Sequence, residues 1–216
     1  RYPDSPGVLD LVGRFTRLEA RSVYRYIPYL PTAVSDYLKD ALVAGQSGDA
    51  RLRLKGDLRD FPYTNDKAGI FKVSARVTNG EFRIAQGWPA IRDISAELGF
   101  DGRRMQIQAS RASVLGARTT NAKVQVPDLF GNDEHVLVDA LGEGPSAEFL
   151  RFIELSPVSE AIGGVTRGMT AGGAGRLQIK LDIPVRRLEQ IKVTGNYQVS
   201  ANRLDIPGGV PTLEQI

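Results

Sequence analysis

The chain contains no cysteine, one histidine, one tryptophan and two methionines in 216 residues. Without thiols there are no disulfides and no thiolate chemistry. The single histidine, His135, stands beside Asp133 and Glu134. A metal site would need further ligands of the same kind, so this cluster reads as a solvated loop ahead of a strand and no metal is expected. No Gly-x-Ser-x-Gly elbow accompanies it, which argues against a Ser-His-Asp hydrolase. Long apolar runs are also missing: no stretch approaches the roughly 20 residues needed to cross a bilayer. The opening Arg1-Tyr2-Pro3-Asp4 lacks the apolar core of a signal peptide. Charge of one sign is scarce as well. Lys and Arg number 28 against 25 Asp and Glu, a formal net charge of +3. That is a weak basis for nucleic-acid binding, which needs a concentrated basic patch.

What the chain does have is internal repetition. Val8-Leu9 matches Val136-Leu137, and Leu30-Pro31-Thr32 matches Leu155-Ser156-Pro157. Arg51-Leu52-Arg53-Leu54-Lys55 matches Arg176-Leu177-Gln178-Ile179-Lys180. Phe71-Lys72-Val73-Ser74 with Gly87-Trp88-Pro89 matches Ile191-Lys192-Val193-Thr194 with Gly209-Val210-Pro211. A recurring spacing of roughly 125 residues means one structural unit set beside another. The expected division is a first unit over 1–134 and a second over 135–216, the latter truncated at its C-terminal end. The chain is thus expected to be an internal piece of a longer repetitive protein.

Each unit reads as a strand, two short helices and then several strands. A strand is expected near Leu9–Phe15 and a short helix near Glu19–Ile27, broken by Pro28 to Pro31. Val34, Tyr37, Leu38, Ala41 and Leu42 carry the stripe of an amphipathic helix that Gly45 would stop. Val158, Ala161, Ile162, Val165 and Met169 form its counterpart, capped by Ser156 with Pro157 in its first position, and ended by Gly172-Gly173. Elsewhere apolar and polar residues alternate. Leu52, Leu54 and Leu58 interleave with Arg51, Arg53, Lys55 and Arg59, and Phe71, Val73, Ala75 and Val77 with Lys72, Ser74 and Arg76. Asn79-Gly80 and Asp101-Gly102 are hairpin signals. Ile94, Ala96, Leu98 and Phe100 alternate before the second, and Met105, Ile107 and Ala109 follow it. Further strands are expected near Ala117–Val126 and His135–Leu141, and Leu177, Ile179, Leu181 and Ile183 alternate in the second unit. The fold class is therefore mainly β with short helices (α+β), built from antiparallel sheet with one wet and one apolar face. That apolar face can be covered by folding the sheet into a sandwich, or left open as a long curved groove that takes a greasy ligand. Periodicity favours the sandwich and does not separate the two.

Other residues invite chemistry less strongly. Asp57 with Asp60, and Asp93 with Glu97, are the nearest carboxylate pairs for glycosidase work, but they fall at turns and polar strand positions. The glycines from Gly163 to Gly175 lack the Gly-Lys-Ser/Thr ending of a phosphate loop. Arg51, Arg53, Lys55 and Arg59 read as one wet strand face, without the interleaved aromatics of a single-strand nucleic-acid binder. Trp88-Pro89 reads as a strand-connecting turn with a packed indole, or as a turn at a groove rim.

Taken together, several pieces resemble the AsmA-like bacterial envelope family, most closely its YhdP-type branch. They are Tyr29-Leu30-Pro31, Tyr37-Leu38 with Ala41-Leu42 before Gly45, and Leu54-Lys55-Gly56-Asp57-Leu58 with Asp60-Phe61-Pro62-Tyr63. Gly87-Trp88-Pro89-Ala90-Ile91, Met105-Gln106-Ile107 with the Gly116 turn, Leu155-Ser156-Pro157 and Leu181-Asp182-Ile183-Pro184 complete the set. The family tends to carry Trp at the place of Tyr37 and Phe at that of Tyr63, and an N-terminal membrane anchor that is absent here. The resemblance implies repeated units of curved sheet forming an apolar groove in the periplasm of a Gram-negative cell, as part of an inner-membrane-anchored protein. It implies movement of phospholipids between inner and outer membranes, with no cofactor and no catalytic residue. The implied partners are phospholipid acyl chains and other envelope proteins, and no nucleic acid. The residues expected to face the lipid are Leu52, Leu54, Phe71, Val73, Ile94, Leu98, Met105, Ile107, Leu177 and Ile179. The alternative is a structural spacer with a closed β-sandwich core and no ligand; an enzyme acting on envelope glycans ranks third.

Overall fold

A computed structural model describes residues 7–26, 32–64, 67–187, 190–207 and 213–214. The described strands form a single open, curved antiparallel sheet of twelve strands. In chain order these are β1 (Val8–Phe15), β2 (Leu18–Glu19), β3 (Leu42–Ser47), β4 (Ala50–Asp57), β5 (Gly69–Phe82) and β6 (Ile91–Asp101). Then follow β7 (Arg104–Val114), β8 (Ala117–Val126), β9 (His135–Pro145), β10 (Thr170–Pro184), β11 (Lys192–Asp205) and β12 (Leu213–Glu214). The spatial order is β1-β4-β5-β6-β7-β8-β9-β10-β11-β12, with β2 pairing β3 and β3 pairing β5. Among the described residues there is no second sheet, so the sandwich alternative is not the architecture adopted. The sheet crosses the expected unit boundary without a break, because β8 pairs β9 from Arg118↔Glu143 to Gln125↔Leu137.

Alternation explains most of the strands directly, since each buries one side and wets the other. Asp101-Gly102 makes the expected hairpin between β6 and β7, with Gly102 at φ 56. Asn79-Gly80 does not. β5 runs straight through it, and Asn79 takes φ 52 at an irregularity instead of a turn. The reason lies in the partners on either side. The first half of β5 pairs β4 and the second half pairs β3. Gly80 also sits so tightly on β6 that an added Cβ would lie 2.9 Å from that of Ile94. Related register shifts recur between β5 and β6, β6 and β7, β8 and β9, and β10 and β11. Irregularities of this kind bend strands and increase twist, which accounts for the curvature.

The helices depart further from expectation. The first is a 3₁₀ helix, Ala20–Tyr26, and Ile27 to Pro31 lie outside the described residues. The second, α1 (Thr32–Ala41), stops four residues before Gly45 because Leu42 enters β3. Of its expected stripe only Ala41 is buried, while Val34 and Tyr37 are exposed. In the second unit the principal helix is α2 (Ser146–Glu154), a segment not expected to be helical. The expected helix shrinks to α3 (Val158–Ala161), ended by Gly163 and Gly164 at φ 69 and 66. Pro157 is its N-cap. Ser156 does not cap it and instead donates to the Ile153 carbonyl at 3.2 Å. Gly172-Gly173 falls inside β10.

Burial confirms an uncovered face. The buried apolar residues are mostly alanines, including Ala75, Ala96, Ala109 and Ala112, and no large side chain is fully buried among the described residues. A chain of this length folded around a closed core would bury many.

Candidate functional site

Register assigns side chains to faces, because directly opposed residues lie on the same side of a sheet. One row runs Leu52↔Val73↔Phe100↔Met105↔Val126 across β4 to β8. The next runs Ala75↔Leu98↔Ile107↔Val124↔Val138↔Leu181↔Val193 across β5 to β11. A third runs Val77↔Ala96↔Ala109↔Ala122↔Ala140↔Ile179. Leu54↔Phe71 extends this face toward one end of the strands, and Gly142↔Leu177↔Tyr197 toward the other. Ile94, opposite Gly80, lies at the irregular zone. Each of the ten residues expected to meet a ligand is half-buried; the two ends of the face are partly covered, Phe71 by Phe61 at 5.0 Å and the Gly142↔Leu177↔Tyr197 row by Phe149 of α2.

The same rows contain larger side chains outside the expected ligand-facing set, among them Val77, Phe100, Val124, Val126, Val138, Leu181 and Val193. Phe100 and Leu181 were visible in the alternation. The four matched alanines form a low strip of the surface beside the larger side chains of the Leu98↔Ile107↔Val124↔Val138 row. Their alignment depends on register across four strands and has no signature in any one segment.

The opposite face is wet and laced with ion pairs. Arg76 meets Glu97 at 3.1 Å, Lys180 meets Asp139 at 3.3 Å and Arg176 meets Glu143 at 2.6 Å. Arg53 and Lys55 both reach Asp10, which pulls that carboxyl below its usual range, chiefly through the Arg53 hydrogen bond. Arg51 pairs with Asp49. Arg59 is not on the β4 face at all; it belongs to the 3₁₀ turn Leu58–Asp60 and pairs with Asp57 at 3.6 Å. The basic run is thus largely neutralised. A shallow hollow of about 350 Å³, lined by Gln108, Asn121, Lys123, Asp139, Leu141 and Gln178, lies on this wet face.

The remaining candidates also find local partners. His135 Nδ1 meets Asp182, and its Nε2 lies 3.4 Å from Asp133. These bonds raise the imidazole pKa, Asp182 contributing most. Asp133 itself is lowered, mainly by Arg187. Asp57 accepts the Arg59 amide, Asp93 accepts the Ser113 hydroxyl at 2.6 Å, and Glu97 holds Arg76. Three of the four carboxylates in the two candidate pairs thus have their own neighbour. The indole of Trp88 stacks edge-on against Phe152 of α2 at 6.3 Å.

The family model described as YhdP protein matches residues 2–216. The intermembrane phospholipid transporter YhdP of Escherichia coli (strain K12) is 26% identical over 215 residues. That alignment covers 99% of this chain and 17% of the relative, so the chain spans about a sixth of the curated protein that it matches. No solved structure matches.

Proposed function

Because the chain belongs to the YhdP family, we propose that it is a lipid-binding segment of a longer protein that moves phospholipids between the inner and outer membranes. The observation that carries this reading is the apolar face of the sheet, continuous across seven strands from β5 to β11, with its large central side chains left half-exposed and α2 lying over only one end of it, at Gly142 and Tyr197. A large uncovered apolar patch calls for a partner. Acyl chains suit it, because each buried methylene contributes about 0.8 kcal/mol without any directional contact. A conduit has no use for one tight site, and the rows offer many equivalent contacts. Leu52, Leu54, Phe71, Val73, Ile94, Leu98, Met105, Ile107, Leu177 and Ile179 form the contact surface, with the alanine row as its floor. The periplasm is the compartment this role requires, and inner-membrane anchoring belongs to the parent protein. No described helix is long and apolar enough to cross a membrane.

The reading is non-enzymatic, and the relative's own description is that of a transporter. We also propose that 1–134 and 135–216 are successive units of an array. In support, β1–β4 places Asp10 opposite Lys55, and β9–β10 places Asp139 opposite Lys180. The spacer alternative needs a closed core, which the open sheet does not favour.

Native mass spectrometry with lipid extraction tests the proposal. The wild-type chain is expected to carry phospholipid in several stoichiometries, and Leu54→Asp with Val73→Asp to lose most of it while staying folded. A wild-type chain that stays lipid-free in the presence of added phospholipid would return the assignment to a spacer.

A further inference from the structure

If the apolar face holds lipid, as proposed above, one margin of the sheet offers a place for the polar end of that ligand. Antiparallel pairing puts the β4–β5, β6–β7, β8–β9 and β10–β11 connections on one margin of the sheet, and the other connections on the opposite margin. From the apolar face toward the first margin runs an unbroken line of aromatic contacts. Phe100 lies 6.5 Å from Phe71, and Phe71 lies 5.0 Å from Phe61. Phe61 then lies 6.0 Å from Phe130. The line ends on a charge, for the Arg103 guanidinium sits 5.9 Å from the Phe130 ring centroid. Arg103 donates from both Nε and Nη2 to the two oxygens of Asp128, each at 2.9 Å. Asp128 also accepts the Phe130 amide at 2.9 Å.

We propose that the Arg103–Asp128 fork is a seat for the zwitterionic head group of a diacyl lipid. The phosphate docks on Arg103, the ammonium on Asp128, and the chains lie along the apolar face. Three features support this occupant. Arginine has five N–H donors and the fork uses two, so the guanidinium retains capacity for a phosphate oxygen. The fork carries no net charge, so it has little attraction for a simple anion, while a dipolar head group lying antiparallel satisfies both of its ends. Phe61 and Phe130 are exposed at 40% and 46%, which supplies the aromatic belt that suits an interface between apolar and polar matter. Further along the same margin Arg186 forks onto Glu134 at 2.8 and 2.9 Å, and Arg187 reaches Asp133 at 2.6 Å. These would be later stations of the same kind. At the opposite margin the cations beside an aromatic ring are Arg25 and Lys39, 5.6 and 5.3 Å from the Tyr24 centroid, and Lys39 pairs with Asp36 of its own helix. The Arg151–Glu148 pair there joins two residues of one helix.

The test is competition loading of the chain with dioleoyl phosphatidylethanolamine, dioleoyl phosphatidylglycerol and dioleoylglycerol, read by native mass spectrometry. The wild-type chain is expected to prefer phosphatidylethanolamine over dioleoylglycerol by about tenfold, the order that one charge-assisted contact supplies. R103M/D128L is expected to lose that preference while loading dioleoylglycerol as before. If this variant is unfolded by circular dichroism, D128N decides by sign: it leaves the guanidinium unneutralised and should move the preference to phosphatidylglycerol. Unchanged selectivity in a folded R103M/D128L, or in D128N, overturns the seat and leaves the groove standing. Failure of the wild type to load any of the three lipids overturns both. Displacement of bound lipid by free phosphoethanolamine would also overturn the lipid assignment, because a seat without chain contacts belongs to a soluble ligand.

Discussion

Tyr63 shows how far a single side chain is dictated by the surface beneath it. It is 3% exposed, and its ring lies over the facing glycines Gly56 and Gly69. Its hydroxyl is buried without a hydrogen-bond partner among the described residues, and burial raises its pKa. An unpaired buried hydroxyl contributes only its desolvation cost. Tyr63→Phe is therefore expected to stabilise the chain by up to about 1 kcal/mol in urea denaturation. Gly69→Ala should do the reverse, because its new methyl would lie 2.6 Å from the Lys55 carbonyl oxygen and against the ring. A loss of about 1–3 kcal/mol is expected. Little of this is legible in sequence. Gly56 and Gly69 are thirteen positions apart, and only the β4–β5 register reveals that one ring needs both of them bare.

At the scale of elements, most strands and the two helices of the first unit were legible to within a few residues, and the helices of the second unit were not, for a physical reason. A strand's two-residue alternation is imposed by the sheet it joins, so β1, β4, β6, β7 and β8 fall close to where their sequences place them. A short helix is decided by what it docks on. The stripe from Val158 to Met169 has helical spacing but meets Gly163 and Gly164, and these end α3 after one turn. The preceding Ser-Ala-Glu-Phe-Leu-Arg-Phe-Ile-Glu becomes α2 because it finds a surface. Phe149 is 8% exposed and stacks edge-on with Tyr197 at 5.5 Å. The Tyr197 hydroxyl is 2.6 Å from that of Ser146 at the first residue of the helix. Gly142 opens the floor beneath the Phe149 ring, where an added Cβ would lie 3.3 Å from it. Phe149→Ala is expected to cost about 3 kcal/mol and to release α2 from β10 before the rest of the sheet opens. Hydrogen exchange should register this as lost protection confined to residues 146–154.

The whole molecule turns on whether its apolar face is open, and this is where the sequence is silent. Leu98 alternates with Glu97 and Gly99 in the same way whether a second layer covers it or not. The candidate surface could therefore be named residue by residue, while its being open rested on resemblance to a family. The absence of a second sheet among the described residues, together with a core in which alanines outnumber larger side chains, decides the architecture. Leu98 makes the consequence measurable. It lies second in the longest row, between Ala75 and Ile107, and is half-buried. In a closed core Leu98→Asp would strand a carboxylate away from water, at a cost of several kcal/mol, and abolish folding. On an open face the new carboxylate reaches solvent directly, and the loss reduces to apolar contacts with its row neighbours, about 1–2 kcal/mol. Urea denaturation of the Leu98→Asp chain should therefore give a cooperative transition with a modestly lowered midpoint and an unchanged slope. Phospholipid loading should fall sharply in the same sample. A Leu98→Asp chain that cannot fold would mean the face is covered, and one that folds and still loads normally would mean the ligand lies elsewhere.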